Sequence, residues 1–279
     1  MSPRVSVVVP AWNCERFVGA TVTSVLDQTM GDFELVVVDD ASPDGTAKVV
    51  AEINDPRLTL AVNDENLGYE ANWNRAVSFA RAPYVLLLCC DDVLYPQALD
   101  HLAAALDADA AGRVAIAIGR RDVIDASGRV LLRNRGLPRM GGVHDGRWVL
   151  RRLVQSGGNC LCEPSFAMFR RSALDEAGPF SARRPYPIDV EMYHRILRRH
   201  DLHALDETVG AFRLSDGSLS SGLGRRQGRD LAGMVYDIGR DPVSPIGRTG
   251  TALGYARARI AAHARRAVIA VANRRAAKR

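Results

Sequence analysis

Several features are scarce in this 279-residue chain, and each scarcity closes off a class of protein. No apolar run reaches the ~18–20 residues that a bilayer-spanning helix needs. The N-terminus, MSPRVSVVVP, passes straight into a strand pattern and lacks a signal-peptide layout. A cytoplasmic chain is therefore expected. The five cysteines, Cys14, Cys89, Cys90, Cys160 and Cys162, are odd in number and show no zinc spacing, so reduced thiols are expected. Cys89 and Cys90 are expected to fill space at the end of a buried strand. No Gly-x-Gly-x-x-Gly follows the first strand and no Walker loop is present, which excludes the usual dinucleotide and P-loop phosphate modes. Lysine is almost missing, 2 against 35 arginines; that ratio resembles a genomic codon bias and weakens arguments from individual arginines.

The net charge of +5 is unevenly spread. Residues 222–279 hold 13 Lys/Arg and 3 Asp/Glu, a net of +10, which leaves the rest at −5. An acidic body with a basic tail implies an anionic partner surface such as lipid head groups, at the inner face of a membrane. A solvated Arg-rich helix is the plainer alternative. The basic region lacks interleaved aromatics, so no nucleic-acid partner is expected.

The first hundred residues alternate strand and helix patterns. Strands are expected at Val5–Val9, Glu34–Asp39, Arg57–Val62 and Tyr84–Cys90. Helices are expected at Cys14–Gln28, Pro43–Ile53 with Ser42 as N-cap, and Gly68–Ala80. This series predicts an α/β fold, a mostly parallel central sheet flanked by helices. Further on, the patterns predict a helix at Pro96–Ala110, strands at Arg113–Val123 and Gly128–Arg133, and a mobile glycine-rich loop at Arg135–Gly146. A helix at Arg147–Gln155, a strand at Ser165–Phe169, a helix at Ile188–His200 and a strand at His203–Phe212 follow. The expected organisation is a domain over 1–213 in two halves, 1–110 and 111–213. A linker or lid at 214–228 and a basic helical extension at 229–279 complete it. In the extension, Leu253, Ala256, Ile260, Ala264, Val268 and Val271 form a helical stripe suited to packing on the body or a second subunit.

Chemistry concentrates at three strand ends: Pro10-Ala11-Trp12-Asn13, Asp39-Asp40-Ala41-Ser42 and Asp91-Asp92. In a parallel sheet these ends share one edge, where ligands bind. Two adjacent carboxylates there repel unless a cation or several donors sit between them, and a hard divalent cation on a diphosphate is one solution. Trp12 could stack on a base, and a carboxylate could accept a base or ribose hydrogen bond.

The motifs VSVVVPAWN, FELVVVDDASPDGT, NLGYEANWNRA and YVLLLCCDDVLYP resemble, in order and spacing over roughly residues 4–215, the family-2 glycosyltransferases of the GT-A fold. The resemblance implies an inverting transferase using a nucleotide-sugar, UDP-sugar first among them, with Mg2+ or Mn2+. A glycan or lipid-linked acceptor is implied, as in bacterial surface polysaccharide assembly. Pro10, Ala11, Trp12 and Asn13 would line the nucleotide site, with Asp40 bonded to the base and Asp39 shaping the turn. Asn72 or Asn74 would approach the nucleotide. Asp91 would contact the ribose and Asp92 would bind the metal. Asp189, at the start of the Ile188–His200 helix, would be the catalytic base, with Glu163 and Glu191 on the acceptor side. His194 would face away from Asp189, and His144 would reach the site only on loop closure. The Gln-x-x-Arg-Trp motif of the family's processive synthases is absent, which favours transfer of a single residue. A sugar nucleotidyltransferase is the enzymatic alternative, but no Gly-rich basic loop follows the first strand; a degenerate nucleotide-sugar-binding scaffold is the other.

Overall fold

The structure is a computed structural model and describes residues 2–184, 186–214, 224–243 and 246–260. Ten strands form one sheet: β1 (Val5–Ala11), β2 (Phe33–Asp39), β3 (Leu58–Val62), β4 (Tyr84–Leu87), β5 (Val93–Leu94), β6 (Val114–Ile124), β7 (Val130–Arg135), β8 (Gly142–His144), β9 (Ala167–Arg170) and β10 (Asp201–Arg213). The order is β3-β2-β1-β4-β9-β6-β10-β5, with β7 beside β6 and β8 beside β10. Neighbours from β3 to β4 run parallel, as does β6 with β10. Strand β9 is antiparallel to both β4 and β6 and joins the two parallel blocks.

β1, β2 and β4 are buried along their whole length, the mark of strands covered by helices on both faces. The covering helices are α1 (Glu15–Leu26), α2 (Thr46–Ala51), α3 (Tyr69–Ser78), α4 (Ala98–Asp107), α5 (Gly146–Ser156), α6 (Arg171–Ala177), α7 (Ile188–Leu197) and α8 (Gly224–Arg240). A further helical stretch covers 247–260. No helix among the described residues is long and apolar enough to cross a membrane.

The expected strand and helix series is present, with four local differences. Ser42 does not cap α2. Its hydroxyl and backbone N–H both turn back to Asp39, and the helix begins later, where Asp44 accepts from the Thr46 backbone N–H at 3.0 Å. The Arg135–Gly146 segment is not a loose loop: Leu137 and Met140 are fully buried, and Gly142–His144 pairs with β10. Strands β5 and β8 and helix α6 are too short for any hydrophobic period to register. Within the extension, the face of 247–260 turned to the body is Thr251, Gly254 and Ala258, while Leu253, Ala256 and Ile260 face outward. Gly254 permits this close docking, since a Cβ there would run into the Val154 carbonyl of α5. The rest of the stripe, Ala264, Val268 and Val271, lies outside the described residues, as does most of the 214–228 linker; α8 begins inside that span, at Gly224.

Gly210 is the tightest point of the sheet near the site. A side chain there would meet the Val93 carbonyl oxygen of the paired strand β5 and the ring of Phe166. Gly210→Ala should destabilise the fold by roughly 1–3 kcal/mol, the usual cost of overpacking, read as a lower urea midpoint; an unchanged midpoint would refute the packing account.

Candidate active site

A cavity of about 480 Å³ opens at the C-terminal ends of β1 and β4 and runs toward the start of α7. The polar strand ends meet there because β1, β2 and β4 run parallel in register.

The first wall is the end of β1. Pro10, Ala11, Trp12 and Asn13 all line the cavity, and Trp12 is 52% exposed. Asn13 and Ala41 adopt left-handed backbone conformations, with φ of 51° and 52°. Such values are costly for residues other than glycine and are held by their surroundings. Here the Asn13 N–H donates to the Ser42 hydroxyl at 2.9 Å, and Asp39 grips that hydroxyl in turn, so the two strand ends brace each other. Asp40 lines the cavity but is heavily engaged. It accepts from the Leu67 and Gly68 backbone N–H groups, both at 2.9 Å, and from Asn63 at 2.6 Å. This carboxylate therefore fixes the loop before α3 against the end of β2.

Asn72 also lines the cavity, yet its amide is spent on structure: it donates to the Val38 carbonyl and accepts from Asn63. Asn74 does not line it. Its side chain makes two bonds to the backbone of Phe180, at 2.9 and 2.7 Å, and ties α3 to the loop after α6.

The acidic pair divides differently from the expectation. Asp91 faces the cavity, whereas Asp92 is fully buried and lies outside its lining. Asp92 Oδ2 accepts from the Ser165 hydroxyl at 2.6 Å, and Oδ1 accepts from the Arg213 backbone N–H at 3.0 Å. Burial, and then the neighbouring Asp91 charge, push its pKa well up. Of the two ways to relieve the paired carboxylates, the protein uses protein donors for Asp92. Of the pair, Asp91 is thus the carboxylate that lines the cavity, while each Asp92 oxygen holds a protein donor. Cys89 and Cys90 likewise do more than fill space: both line the cavity beside Asp91.

The opposite wall comes from the second half. Asp189, in the first turn of α7, lines the cavity, and its Oδ2 accepts from the Asn159 side-chain amide at 3.0 Å. Its pKa is raised to about 7, chiefly by burial, with the Glu163 charge adding to the rise. The Val190 backbone N–H and Arg121 pull the other way. Glu163 lines the cavity in a two-pronged ion pair with Arg121 of β6, whose Nη2 donates to Oε1 at 2.8 Å. Burial disfavours the Arg121 charge, but Glu163 more than offsets this and holds the guanidinium above its ordinary pKa. Arg121 went unrecognised in the sequence, although paired arginines inside the apolar strand VAIAIGRRDVI were the available signal. Leu231 of α8 also lines the cavity, so the extension forms part of its wall.

Three further candidates stand apart from the cavity. Glu191 is bound by Arg195, at 3.1 and 2.8 Å, and does not line it. A two-residue step along a helix turns its side chain away from that of Asp189. His194 pairs with Asp241 at 2.8 Å, facing away as expected. His144 lies in β8, stacked on Trp148.

Comparison with known proteins now adds to this geometry. Residues 6–178 match the family described as Glycosyl transferase family 2. The chain belongs to this family. An uncharacterized protein of Mycobacterium tuberculosis is 31% identical to this family 2 glycosyltransferase over 203 residues, 71% of the chain and 63% of the relative. The succinoglycan biosynthesis protein ExoO of Rhizobium meliloti is 37% identical over 46% of the chain and 36% of its own length. The Pasteurella multocida chondroitin synthase is 37% identical over 35% of the chain, which corresponds to 10% of that enzyme. The chain thus spans less than two thirds of these relatives. Among solved structures, Staphylococcus aureus TarS with UDP-GlcNAc superposes with a TM-score of 0.66 at 18% identity, over 94% of this chain and 72% of TarS. The mannosyltransferase PcManGT of Pyrobaculum calidifontis, in complex with GDP-Man and Mn2+, gives 0.64 at 22% identity, over 98% and 76%. These likenesses establish a shared GT-A fold.

The two aspartates should separate cleanly on substitution. Asp92→Ala strips the buried Ser165 and Arg213 donors of their acceptor and should cost roughly 3 kcal/mol of stability. Asp91→Ala, at a side chain that faces the cavity, should cost less. Paired thermal melts check this, and equal losses would overturn the division.

Proposed function

We propose that this protein moves one sugar from a nucleotide-diphosphate-sugar to an acceptor hydroxyl by a single inverting displacement. The observation that carries the reading is that Asp91 and Asp189 line one cavity, one from the strand-end half and one from the acceptor half. The donor class is supported by two fold relatives whose crystals hold UDP-GlcNAc and GDP-Man. The acceptor class, a glycan or a lipid-linked glycan, is supported by relatives named for polysaccharide assembly. One of these is an Escherichia coli glucosyltransferase that acts on a GlcNAc-diphosphoundecaprenol, 36% identical over 32% of this chain.

In this reading Trp12 stacks on the base at the cavity mouth, and Asp40 orients the loop that borders it. A divalent cation, Mg2+ or Mn2+, fits with Asp91 as its protein carboxylate. No group of three or more His, Cys, Asp or Glu is placed to hold an ion among the described residues. A hard cation on a diphosphate needs only one or two carboxylates, because phosphate oxygens and waters complete its shell. Its contribution when bound is to neutralise charge on the departing diphosphate. Asp189 takes the proton of the acceptor hydroxyl as that oxygen attacks the anomeric carbon. Its pKa of about 7 suits a general base near neutral pH.

A thermal-shift series with UDP-glucose, UDP-GlcNAc and GDP-mannose, with and without Mn2+, tests the donor. One nucleotide-sugar should raise the melting temperature in a metal-dependent way, and a flat response across the series counts against the reading. Asp189→Asn should lower turnover roughly 10²–10⁴-fold while keeping the donor shift. Because the base works only when ionised, wild-type kcat/KM should climb with pH through about 7 and level off above it. A rate that is flat from pH 5.5 to 8.5 would remove Asp189 from the base role.

A further inference from the structure

We infer that Asn159 is a positioning residue for Asp189, holding the carboxylate in the orientation from which it receives the acceptor proton. The inference rests on Asp189 being the base and adds a residue that the sequence motifs do not mark.

The geometry is a relay of two fixed bonds. The Leu161 backbone N–H donates to Asn159 Oδ1 at 3.0 Å, which sets the amide so that its NH2 end points the other way. That end donates to Asp189 Oδ2, also at 3.0 Å. Both side chains line the cavity. The amide cannot flip without placing its oxygen against a carboxylate and its NH2 against a backbone N–H, so a single orientation is enforced. One bond from Asn159 occupies one of the carboxylate's roughly four lone-pair positions and leaves others for the acceptor hydroxyl.

Asn159 differs from the other polar groups near Asp189. Glu163 and Arg121 form a pair of opposite charges whose effects on Asp189 oppose each other. Tyr193, one turn further along α7, gives its hydroxyl to the Cys162 carbonyl at 3.1 Å. The backbone N–H groups of Asp189 and Val190 come with the helix itself and would act on any acid at this position. Asn159 donates to the carboxylate from a separate segment, so it ties the base to the loop ahead of the 3-10 turn Pro164–Phe166.

A donor to an ionised carboxylate favours the ionised form. Removing it should raise the pKa of Asp189 and blur its aim. The test uses Asn159→Ala and Asn159→Asp in the full chain. The Asp variant keeps an oxygen for the Leu161 N–H, so it preserves the loop while replacing the donated N–H with a second carboxylate. The Asp189 carboxyl is titrated by 13C NMR in protein labelled at aspartate carboxyls, with Asp189→Asn identifying the signal. The midpoint should rise by roughly one pH unit in Asn159→Ala and further in Asn159→Asp. With donor and acceptor in hand, kcat should fall roughly 10- to 100-fold, donor KM should hold, and the rising limb of the pH profile should shift upward with the NMR midpoint. An unmoved midpoint in both variants overturns the inference. A loss confined to melting temperature or donor KM also overturns it, by showing a purely structural role. The NMR arm needs no substrate, so it can fail while the glycosyltransfer reading stands. Conversely, full transfer by Asp189→Asn would sink that reading whatever the midpoint does.

Discussion

The two halves of this enzyme meet on one buried carboxylate. Asp92 leaves the end of β4 and enters the interior, where the Ser165 hydroxyl and the Arg213 backbone N–H hold it. Ser165 also accepts the Cys89 N–H, and Arg213 reaches back to the Asp91 carbonyl. Three segments distant in sequence are thereby fastened at one point: the end of β4, the turn before β9 and the end of β10. Burying an acid is expensive unless its partners are well placed. The cost is met here by donors fixed in backbone and turn, and one consequence is the placement of Asp91. With its neighbour anchored inward, Asp91 is left to face the cavity.

The opposite wall of the cavity follows a similar logic with a different outcome. Asp189 also sits in a poorly hydrated environment, where burial raises its pKa to about 7 against the pull of backbone N–H groups and Arg121. The same physical effect, burial of a carboxylate, thus accompanies a structural fastener in one place and a cavity-facing carboxyl with a pKa of about 7 in the other. The difference lies in access: Asp92 is sealed, while Asp189 opens on the cavity. The Arg121–Glu163 pair stands nearby as a nearly neutral unit, so it shapes the cavity without imposing a large net charge on Asp189.

The C-terminal helices belong to the same assembly. Asp237 of α8 takes two bonds from Arg184, at 3.0 and 2.8 Å, next to the segment that leads into α7. Gly233 makes room for that arginine, and Leu231 completes the cavity wall. The family match ends at residue 178, before both α7 and α8. The cavity-lining residues of α7 and α8, Asp189 and Leu231 among them, therefore lie beyond the matched span.

Much of this was legible in the residues themselves. Unbroken apolar runs ending in polar clusters disclosed the parallel strands and the edge where Trp12, Asp40 and Asp91 gather, because chain direction and hydrophobic period are local properties. Asp189 was marked by the family resemblance, with the hydrophobic period supplying only the helix on which it stands. Tertiary structure decided what local pattern cannot encode. Asp91 and Asp92 are adjacent and chemically identical, and only the arrival of Ser165 and Arg213 from far along the chain buries one and exposes the other to the cavity. Asn74 and Glu191 looked like ligands until Phe180 and Arg195 claimed them. Arg121 and Asn159 had no recognisable motif, since their meaning comes from the groups they meet across the cavity. The sequence by itself determined the sheet and its polar edge; long-range packing decided which carboxylates on that edge face the cavity.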